Sequence, residues 1–74
     1  MTKDMKIVVD YCAENISEWN TRVSIALTKI DHWRCSLQHA DISLYNEILD
    51  AITDCASDYE IDADSIDVKD VIWA

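Results

Sequence analysis

The apolar residues in the first half of the chain recur at alternating intervals of four and three positions. This spacing places them on one face of an α-helix, and the chain contains no glycine or proline to interrupt it. The pattern therefore predicts a long N-terminal helix over about residues 3–38, with Thr2 as its N-cap. The stripe consists of Met5, Val9, Cys12, Ile16, Trp19, Val23, Ala26, Ile30, Trp33 and Leu37.

Two asparagines are the places where this helix could be interrupted. Asn15 and Asn20 both lie within the stripe, and asparagine tolerates the left-handed conformation that ends helices. A single helix over 3–38 would be about 50 Å long, which a chain of 74 residues cannot cover well. The unbroken register favours one helix, although a three-helix bundle shows a similar period.

A second apolar stripe begins after the register changes near residue 40. Asp41 or Ser43 can cap a helix there, and the new stripe predicts that it extends over about residues 42–57. A short link between two amphipathic helices makes them antiparallel neighbours. The second stripe consists of Tyr45, Ile48, Ile52, Cys55 and Tyr59.

The last segment, 58–74, predicts an acidic link followed by a short C-terminal helix. Ser65 is the expected N-cap of this helix, and Trp73 is expected to close the core; the alternative is that Trp73 forms an exposed hydrophobic hook for a partner. The prediction is thus one all-α domain over 1–74: a small helical bundle built on the long helix and its antiparallel second helix, an αα-hairpin with a short C-terminal helix.

The seam of the long helix also predicts how the chain could pair. A chain this short has a marginal core, and self-association would reinforce it. Ordinary packing within the bundle is the favoured interpretation of the seam, and we expect one form of this packing, a homodimer through the long helix, with a compact three-helix monomer as the alternative. The residues expected to form the packing or dimer seam are Val9, Ile16, Trp19, Val23, Ile30, Trp33 and Leu37.

Charge divides the chain into two unequal halves. Residues 1–40 hold five acidic and five basic residues, whereas residues 41–74 hold ten acidic residues and only Lys69, so the whole net charge of −9 comes from the second half. Such a surface repels nucleic acids and anionic lipids and favours a partner with a basic surface. We therefore expect no direct binding to nucleic acid or membrane.

Three of the acids repeat every fourth residue along the second helix. Asp50, Asp54 and Asp58 form a like-charge ridge that costs helix stability. Helix neighbours four residues apart lie about 6 Å from each other, close to the spacing of phosphates, so the ridge can act as a DNA mimic; the alternative is a solvated face that keeps the protein soluble. The full predicted partner-binding face is Glu47, Asp50, Asp54, Asp58, Glu60, Asp62, Asp64, Asp67 and Asp70.

A metal or catalytic site receives little support from the sequence. His32, Cys35 and His39 fall at i, i+3 and i+7, where one helix face could offer zinc ligands, but tight knuckle pairs are absent and we expect no bound metal and no cofactor. Without glycine near a nucleophile such as Cys35 to supply oxyanion donors, we expect no enzyme. The three cysteines, an odd number, indicate reduced thiols and a cytoplasmic location.

These features predict a non-enzymatic module for protein–protein interaction, in which the acidic second half binds and blocks a basic, nucleic-acid-binding surface of a partner. Small acidic helical proteins that phages use against host defences, including anti-CRISPR proteins, are similar to this chain in size and charge, a resemblance that no motif carries. It implies an inhibitor acting in the host cytoplasm. The alternative is a structural or regulatory helical homodimer, an adaptor or antitoxin-like subunit, whose acids serve solubility.

Overall fold

All regular secondary structure in the computed structural model, which describes residues 2–74, is helical. The predicted all-α class is therefore confirmed. A 3-10 turn, Ala63–Ser65, precedes the last helix. The five α-helices in chain order are α1 (Lys3–Asn15), α2 (Trp19–Trp33), α3 (Leu37–Ala40), α4 (Ile42–Tyr59) and α5 (Val68–Ile72).

The single long helix predicted over 3–38 is wrong, because the chain breaks it twice. At the first break Ile16 is extended, and Glu18 adopts a left-handed conformation with φ 56° and ψ 38°. At the second break Arg34 is left-handed and ends α2. The molecule measures 36 Å along its longest axis, so the breaks fold a stripe that would be about 50 Å long as one helix back onto a shared core. Of the two asparagines considered, Asn15 ends α1 and Asn20 lies inside α2.

The caps of the two main helices explain where those helices begin. The backbone N–H of Met5 donates to the Thr2 hydroxyl at 3.1 Å, and the N–H of Leu44 donates to the Asp41 carboxylate at 3.0 Å. Each bond satisfies one of the N–H groups that the first turn leaves free. The second cap starts α4, which continues two residues beyond the predicted end at about 57 and stops where Glu60 becomes left-handed.

Helices α1 and α4 pack side by side in opposite directions. Near the start of α1, Ile7 lines a cleft together with Tyr59 at the end of α4. In the middle, the Tyr11 hydroxyl donates to Asp54 at 3.2 Å. The end of α1 meets the first half of α4, where Glu47 also pairs with Arg22 of α2. The two arms of the predicted hairpin are thus antiparallel, although α2 and α3 connect them.

The core lies between these helices, and α4 contributes more buried residues than any other helix. Leu44, Ile48 and Cys55 of α4 and Val8 and Cys12 of α1 are completely buried. Burial of such apolar side chains supplies the main force that holds a chain of this size together.

The C-terminal helix differs from its prediction in two ways. Asp67 caps α5, accepting from the N–H of Lys69, whereas Ser65 lies in the preceding 3-10 turn. Trp73 is 62% exposed, so the expectation that it closes the core is wrong; Val71 and Ile72 are buried there instead. The apolar residues within α5 are buried, whereas Trp73, which follows the last residue of this helix, is exposed to solvent.

Most of the predicted seam is used within the chain itself. Ile16, Trp19 and Leu37 are buried, and Val9, Val23 and Ile30 are half-buried against the same core. Only Trp33 among the seam residues is exposed, at 59%. Packing within the bundle therefore accounts for six of the seven seam positions, and the homodimer stays a prediction.

Candidate binding surface

The acidic ridge of α4 runs along the edge of the buried face of this helix, where α4 meets α1. Asp50, Asp54 and Asp58 are all exposed, whereas Ile48 and Cys55 of the adjoining buried face have no accessible surface. Within residues 2–74, no lysine, arginine or histidine forms an ion pair with any of these three carboxylates. Within these residues, therefore, no cationic side chain neutralises the ridge, although Asp54 accepts a hydrogen bond from the Tyr11 hydroxyl.

Glu47 differs from the three aspartates because it has a partner. It is half-buried, and its carboxylate accepts a hydrogen bond from the guanidinium of Arg22. This charge-assisted bond joins α2 to α4. Glu47 thus has a structural role in addition to its place at the edge of the predicted surface.

The remaining acids of the predicted face are exposed, and several have local roles in the backbone. Asp62 accepts from the N–H of Asp64 at 3.1 Å, and Asp67 caps α5. Glu60 is the left-handed residue that ends α4. The backbone contacts of Asp62 and Asp67 thus give these two residues a structural role that needs no binding partner. Asp64 and Asp70 are exposed and cap no helix within the described range.

Tyr11 stands at the centre of a groove between α1 and α4 that the sequence analysis did not identify. An open cleft of about 160 Å³ lies on one side of it, and a second open cleft of about 200 Å³ lies on the other. The first is lined by Tyr11, Asn15, Ile16, Glu47, Asp50, Ala51 and Asp54, and the second by Ile7, Asp10, Tyr11, Glu14 and Tyr59. The groove brings acids of the balanced first half together with those of the acidic second half.

The hydrogen bond from Tyr11 to Asp54 fixes the central side chain of this groove. Loss of solvation between the helices, and next the negative charge of Asp54, raise the pKa of the Tyr11 phenol above its usual value. The phenol therefore stays protonated and continues to donate over the physiological range.

The rim of the groove carries more negative than positive charge. Its carboxylates are Asp10, Glu14, Glu47, Asp50 and Asp54. Against these five, the described residues supply two paired cations: Lys6, whose ammonium lies 3.2 Å from Asp10, and Arg22 on Glu47. Subtracting two from five leaves three uncompensated negative charges.

Two clues in the sequence point to this groove. Asp10 and Glu14 are four residues apart and so lie on one side of α1, and Tyr11 occupies the position beside the apolar stripe. The first clue is hidden by the charge count of the first half, where the basic residues cancel the acids.

The structure separates the three residues considered as zinc ligands. His32 lies in α2, Cys35 in the following link and His39 in α3, because the left-handed Arg34 ends the helix between them. The premise that they share one helix face is therefore wrong. Among residues 2–74, no group of three or more His, Cys, Asp or Glu side chains is arranged to hold a metal ion.

The other two cysteines are enclosed in the core. Burial, and next the neighbouring Cys55, raise the pKa of the Cys12 thiol to about 12. Burial, followed by the charges of Asp54 and Asp58, also raises the pKa of Cys55. Neutral thiols are poor nucleophiles, so these cysteines behave as small apolar core residues.

In the described part of the chain, no helix is both long enough and apolar enough to cross a membrane. Comparisons with protein-family models, with curated proteins and with solved structures found no match to this chain.

Proposed function

We propose that this protein is a non-enzymatic interaction module whose acidic side binds a basic surface of a partner protein and blocks it. The observation that carries the proposal is the ridge of α4, where three exposed carboxylates have no ion pair within residues 2–74. Like charges four residues apart destabilise a helix by about 0.2–0.5 kcal/mol per pair. A feature that works against folding favours a role in binding.

The same surface suits a partner whose normal ligand is nucleic acid. Carboxylates at helical spacing present a row of negative charges comparable to a phosphate backbone, and a lysine- or arginine-rich groove attracts such a row. Long-range attraction steers the encounter, and exposed aromatic side chains such as Tyr59 provide contact area once the partner is bound. The proposed action is that of a DNA mimic, as in phage anti-defence inhibitors including anti-CRISPR proteins, in the host cytoplasm.

The test is capture of a nucleic-acid-binding protein by the immobilised chain, with elution along a salt gradient. The ridge variant carries Asp50→Lys, Asp54→Lys and Asp58→Lys. The control changes net charge by the same amount at three exposed acids outside the ridge, through Asp4→Lys, Glu18→Lys and Asp31→Lys. We expect the control to retain the partner and the ridge variant to lose it, with unchanged helicity by circular dichroism in both.

Retention of the partner by the ridge variant would overturn the proposal. Release of the captured protein by moderate salt, together with its displacement from nucleic acid by this chain, supports the blocking action, because screening weakens contacts between exposed charges.

A structural or regulatory homodimer, adaptor or antitoxin-like, is the second candidate. It is favoured by apolar side chains that the bundle leaves outside: Ile25 and Trp33 on α2 are 51% and 59% exposed. An association through these side chains resists salt, whereas the charged contact does not. Molar mass by light scattering at low and high salt therefore separates the two candidates.

A further inference from the structure

The groove around Tyr11 has the dimensions of a site for single side chains. Small-molecule sites enclose roughly 300–1,000 Å³, whereas the two clefts measure about 160 and 200 Å³. Both clefts are open, and both share Tyr11 as a wall. Two side chains from one partner can therefore enter on opposite sides of the same tyrosine.

Each cleft combines apolar or aromatic surface with carboxylates. Ile16 and Ala51 line the first cleft beside Tyr11, and Ile7 and Tyr59 line the second. An occupant that suits both needs a positive head and a surface that packs against rings and methyl groups.

The charges at the rim determine whether the occupant should be positively or negatively charged. Three negative charges remain after Lys6 and Arg22 are counted. Lys6 already shows that the rim accepts a cation, since its ammonium lies 3.2 Å from the Asp10 carboxylate. Both members of that pair are exposed, so a cation from a partner can compete for the same carboxylate.

Arginine fits these requirements better than lysine. Its planar guanidinium packs on aromatic rings and pairs with a carboxylate through two parallel hydrogen bonds, whereas the lysine ammonium is a compact and strongly hydrated charge. Tyr11 is held in place by its bond to Asp54, so its ring offers a fixed wall to both clefts.

We propose that the groove between α1 and α4 binds two arginine side chains of the basic partner, one in each cleft beside Tyr11. This inference rests on the proposed function and names the side chains that the acidic surface selects. It also assigns binding roles to Asp10, Glu14 and Tyr59, which lie outside the ridge that carries the proposed function.

The test compares three synthetic peptides of one sequence, in which two positions are both arginine, both lysine or both citrulline, the neutral analogue of arginine. Binding to the full chain is measured by titration calorimetry, and contacts are mapped by NMR chemical-shift changes. Tyr59→Leu removes an exposed ring of one cleft, and Trp73→Leu removes an exposed ring outside both clefts.

We expect the arginine peptide to bind more tightly than the lysine peptide, the citrulline peptide to bind least, and the Tyr11 ring signals to shift. Tyr59→Leu should weaken the arginine peptide about twofold to fivefold, the loss of one exposed cation–π contact, and Trp73→Leu should leave it unchanged.

Equal binding of the arginine and lysine peptides, or equal effects of Tyr59→Leu and Trp73→Leu, would overturn the inference. The proposed function would survive that result, because it fails only if reversal of the ridge charges leaves partner capture intact.

Discussion

The buried side and the acidic side of α4 differ in burial and in charge. On the buried side Leu44, Ile48 and Cys55 have no accessible surface, and along the adjoining acidic side Asp50 and Asp54 are exposed without an ion pair in the described range. The buried side contributes to stability through apolar area removed from water. The acidic side adds like-charge repulsion instead. Folding stability therefore accounts for the residues of the first side and does not account for the carboxylates of the second.

The largest expected effect comes from the buried side. Ile48→Ala removes methyl and methylene groups from a fully enclosed position and should lower the free energy of unfolding by about 2–5 kcal/mol. Urea denaturation followed by circular dichroism measures this loss. Leu49→Ala, at the adjacent position that is 39% exposed, is the control and should cost clearly less.

A chain of this size has little stability to lose, so Ile48→Ala could leave no folded protein to measure. Ile48→Val then provides the comparison, with an expected loss of about 0.5–1.5 kcal/mol. Equal losses in the free energy of unfolding for Ile48→Ala and Leu49→Ala would contradict the assignment of Ile48 to the buried side of α4.

Alkaline pH should weaken the same buried side. An unfolded thiol has a pKa of about 8.5, whereas the enclosure of Cys12 raises its pKa to about 12 in the folded chain. Between these values the folded state retains a proton that the unfolded state loses, so the stability falls as the pH rises through this window. Below about pH 8 the thiol is neutral in both states and the effect vanishes.

The contribution of Cys12 is isolated by comparing slopes rather than absolute stabilities. Cys12→Ala should reduce the decline in the free energy of unfolding between pH 9 and 11, relative to the unsubstituted chain, while groups other than the neighbouring Cys55 titrate equally in both. Parallel declines in the two proteins would show that the Cys12 thiol is not enclosed.

The sequence predicted the helical class, the position of α4 and the Thr2 cap, and it offered Asp41 as one of two candidate caps for α4, because each of these follows from local signals. It did not predict the break after Asn15. Ile16 and Trp19 are three residues apart and face one core whether the helix continues or breaks. The apolar period therefore does not distinguish a continuous helix from a broken one. The groove around Tyr11 was also missed, since it depends on which sides of α1 and α4 meet.

The break between α1 and α2 leads to a prediction whose expected effect on stability is of intermediate size. Glu18 is left-handed, a conformation in which a Cβ atom causes steric strain of roughly 1–2 kcal/mol. Glycine lacks this strain, and its larger loss of chain entropy on folding offsets part of the gain. Glu18→Gly should therefore preserve or raise the melting temperature. Ala13→Gly, at an exposed position within α1, should lower the free energy of unfolding by about 1 kcal/mol.

A continuous helix would make both substitutions destabilising. The sign of the Glu18→Gly effect, measured by thermal denaturation beside Ala13→Gly, therefore distinguishes the broken arm from the single helix.

The prediction with the smallest expected effect concerns whether the carboxylates of the acidic side contribute to the stability of the fold. Replacing Asp50, Asp54 and Asp58 with asparagine removes two like-charge pairs, and it also removes a carboxylate at position 58 from the negative end of the α4 dipole. Asparagine at position 54 can still accept the hydrogen bond from Tyr11. The triple variant should therefore be more stable by a few tenths of a kcal/mol per pair.

Salt provides the control for this gain. At about 1 M salt the screening length falls to about 3 Å, so the unsubstituted chain and the triple variant should become equally stable. A loss of more than about 1 kcal/mol at low salt, beyond the usual range for surface substitutions, would mean that the carboxylates support the fold. In that case their exposure would no longer argue for binding, whereas a gain in stability combined with loss of the basic partner would separate folding from function on the two sides of one helix.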